Sequence, residues 1–420
     1  MIRRPRLTTC IVLAGVAPIS AARADAVPQA VAAVTSEAAP SAKRWYDAVD
    51  ASAFVDAYAS VNYGLPRPQA SEADLGGGNA LRVYDRQNGF ALAWVGANAS
   101  VAPEPVGATL SLRFGPQAYL HNASDVPYGL AFVKQAFVTG KPHPKVTLDF
   151  GKFDQPFGSE QADSQLNPNY TRSLLYGYAQ PVYFTGVRAD WAVSERLDVK
   201  VIAANGWNNS VDMNVGKSVG GQIAWTPAPE LTAYAGYVGG PEQADFARVA
   251  CGADTEFDSA KGACAASPGA QPSVNVAPVA GANSRWRHLA DVVVDYKPSA
   301  KLRLLANADY GTEARQGAPA ANWYGVNLAV RYRLTRQWEV AARGEHFVDE
   351  AGFMTAAAAR TIVSDGTLTL GWLPTRFMRM TLDNRVDIAN APLFRRGASG
   401  LTTSQVTTTL GLVVTSAPLD

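Results

Sequence analysis

From about residue 50 to its end, this chain sets an apolar side chain at every second position of successive segments of about ten residues. In segment 377–388, Met378, Met380, Leu382, Val386 and Ile388 share one face, and Arg379, Thr381, Asp383, Arg385 and Asp387 the other. Segment 323–333 sets Val326, Leu328, Val330 and Tyr332 against Asn327, Arg331 and Arg333, and segment 338–347 sets Trp338, Val340 and Ala342 against Glu339, Arg343 and Glu345. A period of two is the strand period. One wet face would satisfy a soluble sheet, but a soluble sandwich has no need of charge on the inner face of so many strands.

The same template predicts sixteen strands: 50–63, 90–102, 107–119, 130–139, 145–153, 181–192, 197–207, 218–226, 231–239, 288–297, 302–311, 323–333, 338–347, 361–373, 377–387 and 404–415. Lys134 and Gln135 leave the inward face of the fourth and fifth ambiguous. Connections alternate between short turns such as Ser194-Glu195-Arg196 and Pro374-Thr375-Arg376 and long loops, including 64–89, 154–180, 240–287, 312–322 and 388–403. No run of 18 apolar residues follows the N-terminal segment, which excludes helical membrane spans. Hydrocarbon offers no partner for a free N–H or C=O, so strands that cross it must close into a barrel. The expected fold is all-β: a transmembrane, antiparallel, up-and-down β-barrel of about sixteen strands in the bacterial outer membrane, with both termini on the short-turn side. Such a barrel is wide enough to stay aqueous inside.

The first residues support export. Arg3, Arg4 and Arg6 precede an apolar run from Leu7 to Ile19 and the small-x-small site Ala22-Arg23-Ala24, the order of a secretory signal peptide. We expect 1–24 to be that signal, 25–49 a periplasmic leader whose Trp45 and Tyr46 cap the barrel base, and 50–420 the barrel. Without the four arginines of 1–24, the 37 basic residues become 33 against 36 acidic ones, a net charge of −3, so nucleic acid is not an expected partner. Cys251 and Cys264 remain, thirteen positions apart in one polar loop; in an oxidising compartment they read as a disulfide bond, and a zinc site would need more ligands than are near. Trp191, Trp207, Trp225, Tyr237, Tyr296, Tyr310, Trp323, Trp338 and Trp372 lie near strand ends and read as two interfacial girdles.

The expected pore-lining residues are Arg113, Asp149, Glu160, Arg172, Arg188, Asp190, Arg331, Arg333, Arg343, Glu345, Arg379, Asp383 and Arg385, within a wider set that includes Asp56, Asp291, Asp309 and Asp387. Both signs on neighbouring strands can make a transverse field for hydrated solutes, or pair across strands and keep the interior wet. The loop near 154–180, rich in Asn, Gln, Tyr and Gly, is too long for a hairpin. It folds inward with Glu160 and Arg172 as constriction charges, or packs outward as a lid; both remain open.

Asp149-Phe150-Gly151-Lys152-Phe153, Phe157-Gly158-Ser159-Glu160, Asn169-Tyr170-Thr171-Arg172-Ser173 and Pro181…Gly186-Val187-Arg188 together resemble the OmpL-like β-barrel porin family. The resemblance implies an outer-membrane porin and supplies no catalytic residue. Barrels of this kind commonly end in an aromatic residue; here the last strand continues Val413-Val414-Thr415-Ser416-Ala417-Pro418-Leu419-Asp420.

The expected function is ion transport and passive diffusion of small hydrophilic solutes, without cofactor, with outer-membrane lipid around the wall. A homotrimer is an open expectation that no residue decides. The alternative is a surface binding or adhesion protein on a plugged barrel, suggested by the 240–287 loop. An enzyme is not expected: His121, His143, His288 and His346 show no spacing with Ser and Asp or Asn that would converge.

Overall fold

The computed structural model describes residues 48–67, 78–259, 261, 263–357 and 359–419. The signal segment 1–24 and the leader 25–49 up to its last two residues, Trp45 and Tyr46 included, lie outside the described residues.

Sixteen antiparallel strands form one closed barrel. They are β1 (Val49–Asn62), β2 (Gly89–Val101), β3 (Val106–Phe114), β4 (Val133–His143), β5 (Val146–Asp154), β6 (Tyr183–Ser194), β7 (Leu197–Ala204) and β8 (Ser218–Ala228). The second half is β9 (Leu231–Pro241), β10 (Trp286–Tyr296), β11 (Leu302–Arg315), β12 (Ala318–Arg333), β13 (Trp338–Asp349), β14 (Thr361–Thr375), β15 (Met378–Ala389) and β16 (Ser404–Thr415). Each pairs with its sequence neighbours, and β16 returns to β1, with Asn62 opposite Thr407 and Phe54 opposite Thr415. No backbone edge is left for lipid to meet. Among the described residues no helix is long and apolar enough to cross a membrane.

The alternation read from the sequence becomes two surfaces. Leu328, Leu382, Val386 and Ile388 are exposed on the outside, while Asn327, Arg379, Asp383, Arg385 and Asp387 are buried within. Register then orders the inside. Asn327, Glu345, Asp365, Asp387 and Gln405 stand side by side from β12 to β16. The next row, from β13 to β16, is Arg343, Thr367, Arg385 and Thr407. Directly opposed positions within a row lie about 5 Å apart, and the two rows are two residues apart along the strands, about 7 Å, so an acidic row runs beside a basic one along the wall.

Four expectations need correction. The strand 107–119 stops at Phe114, because Gly115 takes φ 137° and Pro116 opens a short helix, Pro116–His121. The seventh strand, expected to reach 207, ends at Ala204. The long loop 312–322 is a tight hairpin instead: β11 runs to Arg315 and β12 starts at Ala318, with Gly317 turning the chain at φ 66°. Trp207 and Trp323 are not girdle residues; both are buried in the lumen, edge to face at 6.3 Å. Trp323 shares parity with Asn327, which dictates inward. Trp191, Trp225 and Trp338 are exposed on the outside.

The 242–285 loop carries its own small sheets, Phe246–Cys251 with Ser273–Pro278 and Thr255–Asp258 with Ala263–Ala266. Cys251 and Cys264 are joined by a disulfide, as expected.

Candidate functional site

Residues 155–182, between β5 and β6, fold into the lumen and cross it. A chain in that position must satisfy its own backbone groups, and the wall supplies the partners. Arg343 Nη1 donates to the Thr171 carbonyl at 2.5 Å, Arg385 Nη1 to the Arg172 carbonyl at 2.7 Å, and Arg379 to the carbonyls of Asn167 and Pro168 at 2.6 and 2.9 Å. Carboxylates take the N–H groups: Thr171 N–H donates to Asp383 at 2.9 Å and Leu174 N–H to Glu345 at 2.6 Å. Glu160 of the loop pairs with Arg343 at 2.9 Å and accepts from the Ser173 N–H at 2.7 Å. Arg172 turns back into the loop and donates to the carbonyls of Gln161, Tyr170 and Ala162.

The far wall holds the other end. Arg113 on β3 grips Asp163 of the loop in a bidentate pair at 2.9 and 2.8 Å. Lys134 on β4 stands 3.7 Å from the same carboxylate. Burial opposes charge on Asp163, yet Lys134 and Arg113 outweigh it and hold the carboxyl below its usual range. Ser164 and Tyr170 hydroxyls donate to Asp56 of β1 at 2.5 and 2.7 Å. Further along, Gln180 donates to Asp309 at 2.7 Å, and Trp323 Nε1 to the Ala179 carbonyl at 3.1 Å. Bonds to ionised groups are about twice as strong as neutral ones, so this strap is fixed at both ends.

The expected lining residues thus separate into groups. Glu160, Arg172, Arg343, Glu345, Arg379, Asp383 and Arg385 meet at the strap, with Arg113 on the opposite wall. Asp149 pairs with Arg188 at 2.6 Å, and Asp190 with Lys200, on β5 to β7. Arg331 and Arg333 are half-buried at the short-turn end of β12, where Arg333 faces Glu339 across the strands.

Sequence reasoning missed Arg82, Asp163 and Asp365. Asp365 carried a signal, since it alternates in phase with Thr367 and Thr369. Arg82 carried none: it descends from the loop after β1 and meets Asp387 at 2.8 Å, completing a chain of charge through Arg385 and Asp365.

Cavities flank the strap. One of about 360 Å³ on the short-turn side is lined by Ser52, Arg113, Lys134, Asp163 and Gln165 among others. Two on the loop side, about 250 and 190 Å³, share Arg82, Arg86 and Tyr178 as a common wall. Among the described residues no three His, Cys, Asp or Glu side chains converge to hold a metal. His346 bonds Ser364 at 2.9 Å on the outer surface, away from the lumen.

Comparison with known proteins agrees with this architecture. OmpT of Vibrio cholerae superposes with a TM-score of 0.51 at 11% identity, covering 87% of this chain and 97% of that one. OprB of Pseudomonas putida gives 0.54 at 13%, covering 88% and 94%. An anion-selective porin from Comamonas acidovorans gives 0.51 at 11%, covering 87% and 99%. At such identities the likeness is one of fold. No curated protein matches the sequence. Residues 48–415 match the family described as "beta-barrel porin-2, OmpL-like". The chain therefore belongs to the OmpL-like β-barrel porin family and is a channel of the bacterial outer membrane.

Proposed function

We propose that small hydrophilic solutes and ions cross the lumen beside the inward strap, and that the strap and its wall form the constriction. The observation that carries this is the placement of charge. Glu160 and Asp163 of the strap face Arg343 and Arg113 on opposite walls, and water-sized space lies on both sides. A solute passing there leaves bulk water for a transverse field that orients its dipole. Asp149, Arg188, Asp190, Arg331 and Arg333 line the approach on the same inward phase. Catalysis has no part in the reading, and no cofactor is required.

Single-channel recording in planar bilayers tests it. The folded protein gives discrete conductance steps, and replacing 160–173 with a short Gly-Ser linker raises the unit conductance severalfold. Absence of steps from both proteins would overturn the pore. Homotrimer formation is a further part of the proposal, supported by OmpT of Vibrio cholerae, which is described in a trimer form. Light scattering on the detergent complex checks it.

A further inference from the structure

The outer wall of the barrel is not uniform. On β5, β6 and β7 the mid-wall outward residues Leu148, Phe150, Val187, Ala189, Val199 and Val201 are all apolar, as lipid requires. On β15 the outward phase Leu382, Asn384, Val386 and Ile388 carries an exposed amide among its apolar side chains. Register gives its depth. Trp338 and Trp372 stack at 5.8 Å near the short-turn end of β13 and β14, and Trp372 stands opposite Met380. Asn384 lies four residues beyond Met380, about 13 Å along the strand. At a strand tilt of about 40° that is about 10 Å into an apolar band about 25 Å tall, so Asn384 sits close to mid-height.

The amide is not satisfied within its own chain. Asn384 stands opposite Thr408 of β16. The Thr408 hydroxyl donates to Asn384 Oδ1 at 2.8 Å and lies 3.2 Å from the Tyr63 hydroxyl, which is then the donor of that pair. Asn384 Nδ2 carries two further donors, and they have no acceptor among the described residues. Hydrocarbon supplies none, and a polar group left without a partner there is costly. Against a second protein wall the same amide can donate to carbonyl or hydroxyl oxygens, as polar residues do between packed membrane segments.

The wall beside it has relief. A cavity of about 580 Å³ opens on the outer face, lined among others by Leu304 and Ala306 of β11, Leu328 and Val330 of β12, and Ala342 and Gly344 of β13, all of the outward phase. Leu368 of β14, 55% exposed, stands in register between Ala342 and Asn384. A hollow and a ridge side by side suit a head-to-tail contact, in which the ridge of one copy enters the hollow of the next and the ring closes. The strands from β11 to β16 and on to β1 are neighbours. At about 4.8 Å apart, in a band about 25 Å tall, they present on the order of 800 Å² of wall, which matches the roughly 800 Å² that each partner of a stable interface contributes.

We propose that this face is where a neighbouring copy of this chain docks, head to tail, in the homotrimer of the channel reading, on which this inference rests. Asn384 gives its amide N–H groups across the contact, and Leu368 enters the neighbour's hollow.

The test uses the full-length folded protein, with heat-modifiable bands on electrophoresis reporting that each variant has folded. Light scattering in detergent gives the mass over a dilution series. Asn384→Leu, which keeps the volume and removes both donors, moves the dissociation midpoint to roughly tenfold higher protein concentration, about 1.4 kcal/mol. In vesicles of phospholipid brominated on its acyl chains, the added tryptophan of Val201→Trp, on the opposite wall, is quenched and that of Val386→Trp, beside Asn384, is shielded, each read as the difference from wild type. Loss of assembly in Val386→Trp but not in Val201→Trp supports the face equally, since bulk there meets the neighbour. An assembled protein in which both tryptophans are quenched alike, or in which Asn384→Leu leaves the midpoint unmoved, overturns this face and leaves the trimer standing. A wild type of monomer mass overturns both. Conductance steps recorded on the same samples keep either failure distinct from failure of the channel.

Discussion

Glu242 stands one position beyond β9, where it accepts from the Trp207 N–H at 2.7 Å and the Ser218 hydroxyl at 2.6 Å. Burial pushes its carboxyl from 4.5 up to about 7, against the pull of Arg287. The folded protein therefore binds this proton more tightly than the unfolded chain does. Its stabilising effect is complete below about pH 4.5, declines as pH rises toward 7, and is absent above. A tenfold change in proton affinity is about 1.4 kcal/mol, so the rise from 4.5 to about 7 makes the loss on the order of 3–4 kcal/mol. Urea unfolding between pH 4 and pH 8 should show it, and Glu242→Gln, which keeps an acceptor oxygen, should flatten the curve. An unchanged slope in the variant would refute this. Nothing in the sequence marked Glu242, because its shift arises from packing between loop ends far apart in the chain.

At the scale of elements, the strap fits because the wall has glycines where its rings arrive. A Cβ on Gly411 of β16 would lie 2.2 Å from the Tyr170 ring, and one on Gly236 would lie 2.6 Å from Phe157. Gly411→Val should displace Tyr170 and break its bond to Asp56, at a cost of roughly 1–3 kcal/mol for overpacking. The expected result is faster proteolysis within 160–173 and higher conductance, with the barrel still folded. Gly366→Val on β14 is the control, since a Cβ there meets nothing within 4 Å. Protease protection equal in the two variants would show that the ring does not hold the strap. Alternation made these glycines legible as inward positions, but not their purpose. Two-residue periodicity fixes which side a residue faces and carries no information about which loop fills the space opposite.

For the whole molecule, barrel and outer sheet are separable. The pair Phe246–Cys251 with Ser273–Pro278 belongs to no barrel sheet, and the Val279 N–H donates to the Asp245 carbonyl at 2.8 Å, closing its base. Replacing 246–278 with two glycines should leave a heat-modifiable barrel on electrophoresis and intact conductance steps. Loss of the folded band would show that the sheet is part of the scaffold. Loss of ligand or phage binding alone would favour the adhesion reading of this loop. The order and closure of the sixteen strands were determined by the sequence itself, because lipid on one side and water on the other impose a choice at each residue that local chemistry answers. The strap, the inward turn of Trp207, the Arg82 contact and the paired charges across the lumen were decided only by tertiary structure, because they join residues up to 325 positions apart whose meeting depends on how the barrel closes.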